Sequence, residues 1–104
     1  MKNLEKYALK VDAANVKAEL EKIKTTARAN QNKDTYKKIF NLIDLTTLTE
    51  TDNEPLIEKM CEKVNNFNAQ HPHMDNVAAI CVYPSMVGYV KKHLKTPGIN
   101  IASV

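Results

Sequence analysis

Residues 77–82, Val-Ala-Ala-Ile-Cys-Val, form an unbroken apolar run bounded by Asn76 on one side and Tyr83-Pro84 on the other. Val77, Ile80 and Val82 are β-branched, which favours a strand over a helix of this length. A strand without a polar alternate face must be covered on both sides, the condition of strands in parallel sheets. Parallel strands need long crossover connections, usually helices. The chain is thereby directed toward a parallel α/β architecture.

The flanking segments fit that architecture. Pro84 suits the first turn of a helix whose buried side is Val87, Val90 and Leu94. Pro97-Gly98 ends that helix, and Ile99-Asn100-Ile101-Ala102-Ser103-Val104 reads as a strand. Upstream, Phe40-Asn41-Leu42-Ile43-Asp44-Leu45 is a second brief apolar run. Thr51-x-x-Glu54 reads as a capping box. Ile57, Met60, Cys61, Val64 and Phe67 then share one helical face, and Asn65-Asn66 followed by His71-Pro72-His73 closes that helix. Before residue 40 the sequence is helical and polar. Asp12 is a candidate N-cap, with Val11 and Val16 placed for a hydrophobic staple. Ala13, Val16, Leu20, Ile23 and Ala27 follow at helical spacing, residues 30–34 break the helix, and a short turn passes through Tyr36 and Ile39.

The predicted order is a helical arm over 1–39, then β-α-β-α-β over 40–104. Three parallel strands with both helices on one side leave the other sheet face bare. In a (β/α)₈ barrel that face is the barrel interior. Alternation along the strands assigns Ile43, Leu45, Ile80 and Val82 to the helix side, and Leu42, Asp44, Val77, Ala79 and Cys81 to the bare side.

Composition removes several function classes. Two glycines are few for an all-β domain, and neither Gly88 nor Gly98 belongs to a phosphate-binding loop. A net charge of +3, with lysines interleaved among Glu and Asp, does not suit a nucleic-acid binder. The N-terminus lacks an apolar signal segment and no run is long enough to span a bilayer, so the expected setting is the cytoplasm, with Cys61 and Cys81 reduced. His71-x-His73 with Cys61 matches no standard zinc spacing. No metal or other cofactor is expected.

Two residues draw attention to the C-terminal strand ends, where active sites of parallel α/β folds collect. Asp44 follows Leu42-Ile43, and a carboxylate beside a buried strand needs a reason. It is either an active-site group or a cap for backbone N–H groups of the next loop. Cys81, at the corresponding end of the next strand, is either a pocket residue or a small core side chain.

Ile43-Asp44-Leu45-Thr46-Thr47-Leu48 resembles the first strand of deoxyribose-phosphate aldolases. Asn76-Val77-Ala78-Ala79-Ile80-Cys81-Val82-Tyr83-Pro84 resembles their second strand and following turn, and residues 99–104 their third. The resemblance runs from about Phe40 to Val104, and the arm is similar to the N-terminal extension of longer members. It implies a (β/α)₈ barrel that cleaves 2-deoxyribose 5-phosphate to acetaldehyde and glyceraldehyde 3-phosphate through a lysine Schiff base. It further implies that Asp44 serves the hydroxyl, water and proton network, that Cys81 lines the acetaldehyde end of the pocket, and that Tyr83 lies at its rim. The family's lysine stands on a later strand in a Lys-Thr-Ser/Thr context that none of these lysines has; Lys91, Lys92 and Lys95 are expected on the second crossover helix, in solvent.

The expectation is therefore an N-terminal aldolase segment, without Schiff-base activity by itself, whose parent binds a phosphorylated sugar and neither nucleic acid nor membrane. A non-catalytic half-barrel assembly module is the alternative, and another barrel enzyme a more distant one. An exposed face at Leu42, Val77, Ala79 and Cys81, beside an open edge at the third strand, predicts self-association by sheet face, by edge, or by exchange of the arm through Val16, Leu20 and Ile23.

Overall fold

The computed structural model describes residues 12–104. Two compact units are present, divided between Asn32 and Lys33. In the first, Asp12 caps helix α1 (Ala13–Ala27): its Oδ1 accepts from the backbone N–H groups of Ala14 at 2.9 Å and Asn15 at 3.2 Å. The proposed staple depends on Val11, which lies outside the described residues. A 3₁₀ turn over Arg28–Asn30 ends this segment.

The second unit begins with α2 (Lys33–Asn41), followed by β1 (Asp44–Thr46), α3 (Glu54–Gln70), β2 (Ala79–Val82), a 3₁₀ turn at Pro84–Met86, α4 (Val87–His93) and β3 (Asn100–Ser103). The strands form one parallel sheet in the order β1-β2-β3. The expected mixed α/β topology with parallel pairing is present. Ile57, Cys61 and Val64 of α3, Val90 of α4, and Val77, Ile80 and Val82 around β2 make a single buried cluster. Both crossover helices therefore pack on the same sheet face.

Several local readings are corrected. Phe40 and Asn41 are the last turn of α2, not the start of a strand. Phe40 stacks on Phe67 at 5.0 Å between centroids, so its apolar character serves helix packing. Leu42 lies in the turn after α2 and is 75% exposed. Thr51 does not cap α3. Pro55 is favoured in the first turn because it needs no N–H partner there, and the helix start at Glu54 makes Asn53 the cap, its Oδ1 accepting from Leu56 N at 3.2 Å. The helix also runs through Asn65-Asn66 to Gln70. Asn65 is not a breaker here. Its Nδ2 donates to the carbonyl of His93, while its Oδ1 accepts from the backbone N–H groups of Lys95 and Thr96 and from the Thr96 hydroxyl. It thus ties α3 to the end of α4.

Val77 points the parity argument the wrong way: it belongs to the helix-side cluster with Ile80 and Val82. The N–H groups of Ala78 and Ala79 converge on the carbonyl of Ile43, at 2.9 and 3.5 Å. Regular alternation starts only at Ala79, so it cannot be extrapolated back to Val77. Gly98, at φ +81°, supplies the left-handed turn between α4 and β3.

Candidate functional site

Register fixes which side chains share the face opposite the helices. Asp44 pairs with Ala79 and Ala79 with Asn100; Thr46 pairs with Cys81 and Cys81 with Ala102. Partners in a parallel ladder project to the same side, giving two rows, Asp44-Ala79-Asn100 and Thr46-Cys81-Ala102. The intervening row, Leu45-Ile80-Ile101, is on the helix side, where all three side chains join or pack against the core. Asp44 and Cys81 thus occupy one face on adjacent strands, in neighbouring rows.

Asp44 is the first residue of β1, not near its C-terminal end, and stands opposite Ala79 and not Cys81. The strand is shorter than the apolar run because α2 takes its first residues. Cys81 is buried, as is Ala79, and neither belongs to the helix-side cluster. The exposure expected of Val77, Ala79 and Cys81 is therefore not observed: they are 6%, 4% and 8% exposed, and only the flanking Asp44, Thr46 and Asn100 of these rows are exposed. Tyr83 lies one residue beyond β2 and is 40% exposed. The face opposite the helices is therefore polar and small, with Asp44, Thr46 and Asn100 among alanines and a cysteine. The apolar patch expected from Leu42 and Val77 is absent from these rows.

The Asp44 side chain is exposed, and among the described residues its carboxylate has no hydrogen-bond or ion-pair partner; only its backbone carbonyl is used, by the Thr46 hydroxyl at 2.8 Å. The loop cap is another residue, which the sequence reading missed. Asp52 accepts from the Thr47 hydroxyl at 2.9 and 3.1 Å, from Thr49 N at 3.1 Å and from the Thr49 hydroxyl at 2.8 Å. Threonines at 47, 49 and 51 around Asp52 are the sequence signal of such a turn. Hydrogen bonding from the Thr49 side chain, and then from Thr47 and the Thr49 backbone, holds the Asp52 carboxyl below the ordinary carboxylate range against a smaller opposing desolvation.

A second polar cluster joins α3 to α4. Glu54 Oε1 accepts from Lys92 Nζ and lies 3.0 Å from His93 Nε2, while His93 Nδ1 is 3.3 Å from Glu58. Lys92, then His93, lowers the Glu54 carboxyl, and Glu54 raises the Lys92 ammonium. A carboxylate whose folded pKa is depressed contributes stability above its unfolded pKa and loses it as pH falls through the folded value. Asp52 and Glu54 both have this sign. The raised Lys92 contributes below its unfolded pKa and fades as pH rises through its folded value. Thermal unfolding followed from neutral pH into the acid range is expected to show a falling midpoint, and Asp52→Asn is expected to flatten that fall. An unchanged acid slope in the variant would contradict the assignment.

At the opposite strand ends lies an asparagine network. Asn76, 7% exposed, donates from Nδ2 to the Val64 carbonyl at 2.8 Å and to Asn68 Oδ1 at 2.9 Å, and accepts from Val77 N at 2.9 Å. Its own carbonyl accepts from Asn41. This buried polar residue is fully used in holding α2, α3 and β2 together. Two hollows, of about 510 Å³ and 440 Å³, lie at the α2–α3 end and beneath the strand starts; Asp44, Cys81 and Tyr83 line neither. Lys91, Lys92 and Lys95 are exposed, Lys95 lying beyond the end of α4 at His93 and not on the helix, and no lysine occurs in the two rows opposite the helices.

Cys61 is buried in the helix-side core, which pushes its thiol pKa up, so it is not available beside His71 and His73. Both cysteines are free thiols. Among the described residues, no helix is long and apolar enough to cross a membrane. No known protein-family model matches the chain.

Proposed function

We propose that residues 40–104 are the opening βαβαβ of a (β/α)₈ barrel, and that the barrel is a Schiff-base aldolase of the deoxyribose-phosphate type. The observation that carries this reading is the make-up of the sheet face opposite the helices. Its rows combine the small residues Ala79, Cys81 and Ala102 with Asp44, whose carboxylate has no partner among the described residues. A barrel interior has this requirement, since inward side chains from several strands must share one crowded space. Asp44 would serve the proton network, Cys81 would line the pocket and Tyr83 its rim. The substrate would be a phosphorylated deoxysugar in a cytoplasmic setting.

The reaction needs a lysine amine that condenses with a carbonyl, releasing water and forming an imine whose enamine form attacks the second aldehyde. The rows opposite the helices contain no lysine, so the reading puts that residue outside these 104 positions. The same observation favours the second reading, a half-barrel module without catalysis.

Borohydride trapping separates the two. The product of the complete coding sequence, incubated with 2-deoxyribose 5-phosphate and borohydride, is expected to gain one reduced acetaldehyde adduct on a lysine outside residues 1–104. The 104-residue chain alone is expected to gain none. A stoichiometric adduct on a lysine within it would overturn this assignment. No adduct on either protein would leave the module reading.

A further inference from the structure

Helix α1 carries an apolar stripe, Ala13, Val16, Leu20, Ile23 and Ala27, spaced alternately three and four residues apart. No residue of α1 is buried, and Val16, Leu20 and Ile23 are 48%, 48% and 61% exposed. The spacing is that of a coiled-coil seam, with Ala13, Leu20 and Ala27 at position a and Val16 and Ile23 at position d. In that frame the flanks sort by charge. Lys17 and Lys24 take both e positions, and Glu19 takes the g position between them.

This sorting selects an orientation. In a parallel pair, position g of one helix faces position e of the next heptad on its neighbour. Glu19 then meets Lys24 of the second copy. In an antiparallel pair the facing flanks are g with g and e with e, which sets Glu19 against Glu19 and lysine against lysine. We infer that α1 is a self-association element, through which copies of this chain pair in parallel register along the Ala13-to-Ala27 seam with Glu19 of one copy facing Lys24 of the next. The route does not require the barrel reading.

Within one chain Glu19 pairs with Lys22 at 2.6 Å and Glu21 with Lys24 at 2.8 Å, all four side chains being exposed. Exposed pairs of this kind contribute little, so they do not oppose exchange for contacts between chains. A seam of 15 residues buries a small area, and the association is accordingly weak and reverses on dilution.

Sedimentation of the full 104-residue chain tests the inference with Glu19→Lys, Lys24→Glu and their equimolar mixture. Each variant alone faces like charges and is expected to associate roughly fivefold to tenfold more weakly than the parent. The mixture is expected to recover parental association as mixed species, seen by native mass spectrometry. Both positions are exposed, and an unchanged circular dichroism spectrum verifies the fold. A parent chain that stays monomeric into the millimolar range overturns the inference. So do variants that associate as the parent does, the result expected of pairing through a sheet edge, and so does a mixture that fails to recover.

Discussion

Truncation of Ile80 to alanine is expected to destabilise the sheet-bearing unit by about 2–5 kcal/mol. Ile80 is fully buried on the central strand, flanked in its row by Leu45 and Ile101 and enclosed by the cluster of α3 and α4. A cavity there has walls from four elements, and the sheet cannot close over it without breaking register. The unit runs from Lys33 to Val104, and a domain of this length typically holds roughly 4–10 kcal/mol. One substitution would remove a large share of that. Leu42→Ala provides the contrast. Leu42 lies in the same kind of apolar run yet is 75% exposed, so its loss should stay within about 0.5 kcal/mol. Urea unfolding of both variants checks this. Similar losses at the two positions would mean that Leu42 is covered in solution.

The difference between these residues explains what could be read from the sequence. The segment around Ile80 is apolar throughout and bounded by turn residues, so one structural period accounts for it. The stretch 40–45 superimposes two structures, the last turn of a helix anchored by Phe40 and a strand that begins at Asp44. Hydrophobicity alone does not mark where one ends. Loop chemistry was less legible still. Thr51 and Asn53 are both competent caps, and Pro55 decides between them only once the helix start is known. Asn65 and Asn76 look like punctuation in sequence, but their amides satisfy backbone groups some distance along the chain. Such long-range pairing leaves no periodic trace. The site fared similarly. Placing Asp44 and Cys81 on one face needed only alternation, whereas their offset along the strands depended on the helix boundary.

Asp44→Asn is expected to leave stability nearly unchanged while, on the proposed aldolase reading, strongly reducing turnover. The stability half follows from the structure. The exposed Asp44 carboxylate has no hydrogen-bond or ion-pair partner among the described residues, and the loop after β1 is held by Asp52 instead. Replacing it by the isosteric amide removes no fold contact, so the change should fall within about 0.5 kcal/mol. The turnover half rests on the proposed aldolase reaction. An amide cannot take up a proton from the reacting hydroxyl or water as a carboxylate does, and removal of one such group from a transition state lowers rates roughly 10²- to 10³-fold. Asp52→Asn supplies the reverse pattern, with lowered stability and retained chemistry, because its carboxylate bonds Thr47 and Thr49 and not the bare face. Measuring unfolding and deoxyribose phosphate cleavage on both variants resolves the two roles. Full activity in Asp44→Asn would remove Asp44 from the reaction, and a large loss of stability there would restore it as a structural cap.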